Sequence, residues 1–279
     1  MAPRTFSIMS TNAVMMGNEQ SLARLHVLVT RPADKANKLA QLITAAGAEA
    51  VCFPVIEITG PRNVAVLQTL IEQLEHFDII IFVSANAVDR VMPMINARHP
   101  HLPAHLLVVC VGHASAQRLK GFGIDAPLLP SKRFDSEGLL LLPDLQELDG
   151  KRILIFRGEG GRELLAQTLR ARGADVQYAE CYRRVRPRTD ITPLLHRWQN
   201  GLIDLVTITS VEALNNLVAM VGVSGRLLLL NTPVVVISDR VAEACRQCGF
   251  AHDPWIAEEP SDEALVEAVK AWRTSQKPV

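Results

Sequence analysis

Excess charge of either sign is missing from this sequence: 29 lysines and arginines stand against 29 aspartates and glutamates. A formal net charge of zero leaves no overall basic field to draw nucleic acid, and no nucleic-acid partner is expected. No apolar run approaches the roughly 18 residues of a membrane-spanning helix, so no membrane partner is expected either. Residues 1–21 lack periodicity and the apolar stretch of about 7–15 residues that marks a secretory signal. A disordered leader outside the fold is expected there. Cysteine is scarce and odd in number, scattered over positions 52, 110, 181, 245 and 248. That suits reduced thiols in a cytoplasmic protein and not a disulfide framework.

The familiar catalytic signatures are also missing. There is no GxxxxGK[ST] phosphate loop, no dinucleotide GxGxxG, no HExxH and no GxSxG. "CRQC" (245–248) is a lone CxxC with no second pair, better suited to structural thiols than to zinc or redox chemistry. His99, His101 and His105 fall in a proline-rich loop and are expected to be solvated. Nothing here announces a hydrolase, a kinase or a metalloenzyme. No metal and no organic cofactor are expected.

What the sequence does have is an internal echo. "FVSANAV" (82–88) returns as "TITSVEAL" (207–214), with Ser84 and Ser210 standing 126 residues apart. The same offset lays "VLVTRP" (27–32) over "ILIFRG" (153–158), Arg31 over Arg157, Gly47 over Gly173, Asp78 over Asp204 and Pro61 over Pro187. One ungapped offset aligns every element, and it is far too long for a solenoid repeat. A duplicated half-protein is expected. With 48% apolar and 21% charged residues over 279 positions, the chain is long enough for two ordinary domains.

Each half alternates β-branched apolar runs with helical patterns, which predicts parallel sheets covered by helices. Strands are expected at 25–30, 50–55, 79–83, 106–111, 152–156, 175–180, 204–209 and 233–238. Their continuous apolar character suits strands buried on both faces. Helices are expected at 34–46, 64–75, 86–95, 114–121, 136–142, 162–172, 211–221, 240–247 and 261–273. Gly47 and Gly173 fall where helix ends want a left-handed residue. The fold class is therefore α/β, with two parallel-sheet domains. "EITGPR" (57–62) and "RVRPRT" (184–189) are candidate strands crossing between them.

In open α/β sheets ligands gather outside the carboxyl ends of the strands. The short residues there are Ser84, Ser115, Ser210, Ser238, Gly112, Gly158, Gly160 and Gly161. Each serine alone reads as a helix N-cap. As a set, such turns expose backbone N–H groups at positive helix ends, which are anion sites. "FRGEGGRE" (156–163) adds Arg157 and Arg162 around three glycines, a candidate carboxylate or phosphate clamp.

Taken in order, "LVTRP", "FPVIEI", "FVSANAV", "RGEGGRELL", "ECYRR", "TS" (209–210) and "PSDEAL" resemble the uroporphyrinogen-III synthase family over about residues 24–272. The resemblance implies an enzyme that closes linear hydroxymethylbilane, inverts ring D and loses water, in haem, sirohaem and cobalamin synthesis. It implies no metal or cofactor, a monomer, and transient contact with the upstream hydroxymethylbilane synthase. It also implies two α/β domains joined by a two-stranded linker, here 22–57 with 187–275, and 58–186. The tyrosine of "ECYRR", Tyr182, would be the catalytic acid. Arg31, Ser84, Asn86, Gly112, His113, Ser115, Arg157, Gly160, Gly161, Arg162, Ser210, Ser238 and Arg240 would serve the substrate's carboxylates. The chain departs from the family's pattern at Val83, where threonine is common, and at Asp239–Arg240, where small hydroxyl residues are common. A periplasmic-type anion-binding module and a nucleotide-sugar transferase are the competing readings. The first lacks a signal peptide, and the second lacks a phosphate or uridine motif.

Overall fold

The computed structural model describes residues 22–161 and 163–276. The expected leader, 1–21, and Arg162 lie outside them. The chain divides into two compact units: one takes the chain up to Glu57 together with the chain from Arg186 onward, and the other is Ile58–Val185.

The strands, in chain order, are β1 (His26–Val29), β2 (Glu49–Cys52), β3 (Glu57–Thr59), β4 (Ile79–Phe82), β5 (Leu107–Cys110), β6 (Arg152–Gly158), β7 (Asp175–Val185), β8 (Leu205–Ile208), β9 (Val234–Val236) and β10 (Trp255–Ile256). The helices are α1 (Ala33–Ala45), α2 (Val64–Glu72), α3 (Ala85–Arg98), α4 (His113–Gly121), α5 (Ser136–Leu139), α6 (Leu164–Ala171), α7 (Thr192–Gln199), α8 (Val211–Leu230), α9 (Asp239–Cys248) and α10 (Asp262–Ser275). One sheet runs β10-β9-β8-β1-β2, the other β3-β7-β6-β4-β5. In the first sheet every neighbouring pair is parallel, and so are β5-β4-β6-β7 in the second. The α/β class with parallel sheets expected from the sequence is the one observed.

The pairing registers of the two sheets match at an offset of 126. His26 lies opposite Glu49 and Arg152 opposite Asp175. Val27 faces Leu205 while Ile153 faces Ile79. Val206 faces Val234 while Ile80 faces Val108. Side-chain bonds follow the same rule. Asp204 Oδ2 accepts the backbone N–H of His26 at 2.7 Å, and Asp78 Oδ2 accepts that of Arg152 at 2.8 Å. Ser261 caps α10 through Ala264 N–H, and Asp135 caps α5 through Gly138 N–H.

The continuous apolar strands are explained by the packing on their two faces. Ile80, Phe82, Leu154 and Phe156 pack on one side of the Ile58–Val185 sheet with Leu67, Val88, Val91 and Ile95 of α2 and α3. Ile79, Ile81, Ile153 and Ile155 pack on the other with Leu139, Leu165 and Leu169 of α5 and α6. Alternate residues go to opposite faces, and both faces are covered. Phe82 stacks on Phe156 with ring centroids 4.9 Å apart. In the other unit, Val27, Val29, Leu205 and Val235 pack with α1 and α10 through Leu39, Ile43, Val269 and Trp272.

Five elements depart from expectation, the first being strand β10, which is not among the expected strands. Helix α7 is not among the expected helices; its Pro193 sits in the first turn, where proline's missing N–H costs nothing. Strand β7 runs past the expected 175–180 to Val185, into the first two residues of the candidate crossing segment 184–189. Helix α5 is a single turn and not seven residues. Helix α8 is two arms, because Gly222 adopts φ 58° and ψ −159°, outside helical space. By length and composition Val211–Leu230 would suffice to cross a membrane, yet the break leaves no single straight helix of that length.

Candidate functional site

The site is built at the carboxyl rim of the Ile58–Val185 sheet. Strand β4 brings Phe82 and Val83 to the rim, and Ser84 follows as the N-cap of α3. Its Oγ accepts the Ala87 N–H at 3.1 Å, satisfying one of the amides a helix start leaves unpaired. In the other unit Ser210 caps α8 in the same way, accepting the Ala213 N–H at 3.0 Å.

Tyr182 reaches this rim through an irregularity in pairing. Arg157 lies opposite Glu180, but the next pair is Gly158 with Tyr182, so β7 carries one extra residue, Cys181. The slip turns the Tyr182 ring over Gly158: a Cβ at Gly158 would stand 2.7 Å from the ring carbons. The Tyr182 hydroxyl lies 3.1 Å from Ser84 Oγ. Tyr182 is 8% exposed, so its hydroxyl sits at the edge of the core, not out in solvent. The extra residue is inert. Burial pushes the Cys181 thiol up to about 12, and its Sγ contacts the Arg157 carbonyl oxygen.

Arg157, expected as an anion clamp, is spent on its own loop. Its Nη1 pairs with Glu163 Oε1 at 3.0 Å, its Nη2 bonds the Gly160 carbonyl, and its guanidinium lies 4.4 Å from the Tyr178 ring centre. Tyr178 Oη donates to Glu163 Oε2 at 2.7 Å. This hydrogen bond, then Arg157, holds the Glu163 carboxyl below the usual range, while burial and then Glu163 raise the Tyr178 phenol. Gly160 and Gly161 turn at φ 73° and 108°, which only glycine adopts freely. Arg157, Glu163 and Tyr178 are thus tied to one another and to the Gly160 carbonyl. Glu159 of the same loop accepts the Arg62 N–H at 2.6 Å and pairs with the Arg62 side chain at 3.2 Å.

Around these groups lies a half-open cleft of about 370 Å³. Arg157, Gly158, Gly160, Gly161, Tyr178, Tyr182, Arg184 and Ser136 line it, with apolar Val83, Ile155 and Leu165. Both of the chain's tyrosines therefore stand on one strand and line one cleft. A second hollow of about 450 Å³ lies on the other side of Glu159 and Tyr178, against Pro61, Arg62 and Glu180.

The remaining expected residues divide sharply. Asn86 is half-buried in the first turn of α3. Gly112 caps α4, and the exposed His113 leans on Phe134 with ring centres 4.5 Å apart. Ser115 is not on the rim: it lies inside α4 and is buried, so its hydroxyl is withdrawn from any ligand at the rim. In the other unit Arg31 is closed by a 2.7 Å ion pair with the buried Asp262. Ser238 precedes α9 without a side-chain cap bond, and Arg240 is exposed. Sequence reasoning missed Glu163, Tyr178 and the role of Gly158. The signal was present in "RGEGGRE": an acid two residues past the glycines, able to turn back on the arginine before them. In "CRQC", burial lifts the Cys245 thiol to about 12, so it does not supply a ready thiolate.

Comparisons with known proteins identify a family. Residues 37–267 match the family model described as Uroporphyrinogen-III synthase HemD. The uroporphyrinogen-III synthase of Escherichia coli K12 is 33% identical over 250 residues, covering 88% of this chain and all of that protein. The enzyme of the same name from Synechococcus elongatus is 28% identical, covering 91% of this chain and 97% of its own. Among solved structures, a mutant uroporphyrinogen III synthase from Thermus thermophilus superposes with a TM-score of 0.57 at 17% identity, covering 91% of this chain and 100% of its own. Uroporphyrinogen-III synthetase from Helicobacter pylori 26695 gives the same TM-score at 18% identity, covering 89% and 99%. The fold is shared with both. By the extent of the family match and the identity to the Escherichia coli enzyme, the chain belongs to the uroporphyrinogen-III synthase family.

Proposed function

We propose that this chain is a uroporphyrinogen-III synthase, cyclising hydroxymethylbilane to uroporphyrinogen III with inversion of ring D and loss of water, and that Tyr182 is its acid. Membership of the family supports the activity. The observation that carries the site assignment is the Tyr182 hydroxyl at the cleft wall, its ring seated over Gly158 and its oxygen 3.1 Å from Ser84. A neutral phenol is a proton donor near pH 7. In the step assigned to it, the Oη–H bond breaks as the substrate's C–O bond breaks. The electron pair leaves with oxygen, water is released, and an azafulvenium and a phenolate remain. For ring D to invert, the azafulvenium carbon bonds to the already substituted α-carbon of ring D, the bond from that carbon to its other methylene bridge then breaks, and that bridge re-bonds at the free α-carbon. The proton lost there as the pyrrole rearomatises returns to the phenolate, so the balance is loss of one water.

The carboxylates of the substrate are matched by many small donors in place of one strong cationic pocket. Asn86, Gly112, His113, Gly160 and Gly161, with the start of α3 that Ser84 caps, are the candidates for this role in the Ile58–Val185 unit. Ser210, Ser238 and Arg240 are the candidates in the other unit taken by itself. Arg157 contributes by holding the Gly160 carbonyl, and Arg31 by holding the start of α10. The offset of 126 shared by both sheet registers supports descent from a duplicated half, with each unit taking the front of one half and the back of the other. We further propose a cytoplasmic monomer that needs no metal or organic cofactor and receives its substrate from hydroxymethylbilane synthase.

The test is the isomer formed. Porphobilinogen, the upstream deaminase and this protein are incubated together, and the products are oxidised and separated. Type III porphyrin is the expected product; type I alone rejects the assignment.

A further inference from the structure

We propose that Ser84 acts through Tyr182 as its positioning partner, aiming the phenol's proton into the cleft and stabilising the phenolate that remains. The inference rests on the reading of Tyr182 as the acid and goes beyond it.

The direction of the hydrogen bonds supports this. The Ala87 N–H can only donate, so Ser84 Oγ is an acceptor at 3.1 Å on that side. A serine hydroxyl carries a single proton. With an acceptor role fixed toward α3, that proton is free to go to Tyr182 Oη, 3.1 Å away. Tyr182 then has its own proton left for a third party. The result is one chain pointing a single way: Ala87 N–H to Ser84 Oγ, Ser84 O–H to Tyr182 Oη, and Tyr182 O–H to the substrate. Bonds aligned head to tail polarise one another.

The chain begins at a helix start. α3 is 14 residues long, and its first amides carry the positive end of the helix dipole. When Tyr182 gives up its proton, negative charge on Oη meets a hydroxyl donor that is itself bonded to that positive end. A second contact fixes the aim. The Tyr182 ring lies where a Cβ on residue 158 would have to be, so the ring is held against the backbone while the hydroxyl is held by Ser84. Ser210 makes the same cap in the other unit with no aromatic hydroxyl bonded to it among the described residues. The cap alone therefore does not account for the second bond at Ser84.

A double-mutant cycle tests the proposal, with kcat and KM measured for type III product. Ser84→Ala is expected to lower kcat roughly 10–10²-fold, as loss of one hydrogen bond to a charged group does, with KM nearly unchanged. In a Tyr182→Phe background the same change is expected to cost less than about twofold, since the oxygen it serves is gone. Ser84→Thr keeps the hydroxyl and is expected to restore most of the turnover. Ser84→Asp keeps the helix cap but removes the donor. It is expected to unfold at or above the wild-type temperature and still turn over slowly. An equal cost of Ser84→Ala in both backgrounds overturns the proposal, as does full turnover by Ser84→Asp. Wild-type turnover by Tyr182→Phe overturns the acid reading itself, whatever Ser84 does.

Discussion

The two units share a register and differ in what they place on it. Strand β2 stops at Cys52, and Pro54 follows, lacking the N–H that a continuing ladder would need. At the position 126 residues later Glu180 keeps its N–H, and β7 runs unbroken to Val185. The residue matched to Tyr182 is Ile56, fully within the core. The arginines differ too. Arg31 is neutralised by Asp262 from the start of α10, whereas Arg157 is neutralised by Glu163 from its own loop. One repeat position thus carries a structural isoleucine in one unit and a phenol at a cleft in the other. The difference teaches that a longer strand with one extra residue, Cys181, can turn a side chain that its matched position buries toward a cleft.

The sharpest way to break the comparison is at its centre. Tyr182→Phe is expected to lower kcat by roughly 10²–10⁴-fold, the usual worth of general acid catalysis, with substrate affinity almost unchanged and residual product still type III. Ile56→Ala should do the reverse. It should cost about 2–5 kcal/mol of unfolding free energy, as deletion of buried aliphatic bulk does, with kcat preserved in the folded fraction.

Gly158→Ala comes next. Its Cβ would stand 2.7 Å from the Tyr182 ring, so the ring must move. A displacement of about 1 Å at a reacting group can cost roughly 10²-fold, and that fall in kcat is expected with the thermal midpoint little changed. A wild-type rate would mean the ring's seat is unimportant.

Asp262→Ala tests the arginine contrast. It leaves Arg31 with its guanidinium mostly buried and unpaired. Breaking a buried pair costs about 3–5 kcal/mol in full burial, and about 2 kcal/mol is expected here because Arg31 keeps some exposure. Chemical denaturation with and without the substitution measures it.

The smallest effect concerns the matched aspartates. Asp78 is held below the ordinary carboxylate range, first by the Arg152 N–H and then by Lys151. A depressed carboxyl stabilises the fold above its unfolded value, about 3.9, and loses that contribution as pH falls through its lower folded value. Asp78→Asn should therefore lower the thermal midpoint slightly at neutral pH and flatten its decline below about pH 4. An unaltered acid slope would show that the aspartate is not the titrating group.

Much of this was legible in the sequence because both faces of each sheet are covered. Runs such as "IIIF" and "ILIF" cannot be amphipathic helices of ordinary length, and the common offset placed them in pairs. The serine caps were legible for the same reason: a short polar residue between a buried strand and a helical pattern has one local task. Less could be read where tertiary contacts decide. The buried side chain of Ser115 and the closed state of Arg31 depend on partners far along the chain. The slip beside Cys181 leaves no mark in composition. Arg157 was read as a clamp because arginine beside glycines suits anions, and the carboxylate that claims it lies past a turn whose path the sequence does not give.

The distribution of the ring residues has a practical consequence. The three tryptophans, 198, 255 and 272, all belong to the unit that includes the chain from Arg186 onward, and the two tyrosines, 178 and 182, both belong to the other. Indole emission, excited at the red edge of the band where phenols absorb little, therefore follows the melting of one unit alone. Set beside backbone dichroism, which follows both units, it records whether they lose structure together or in turn.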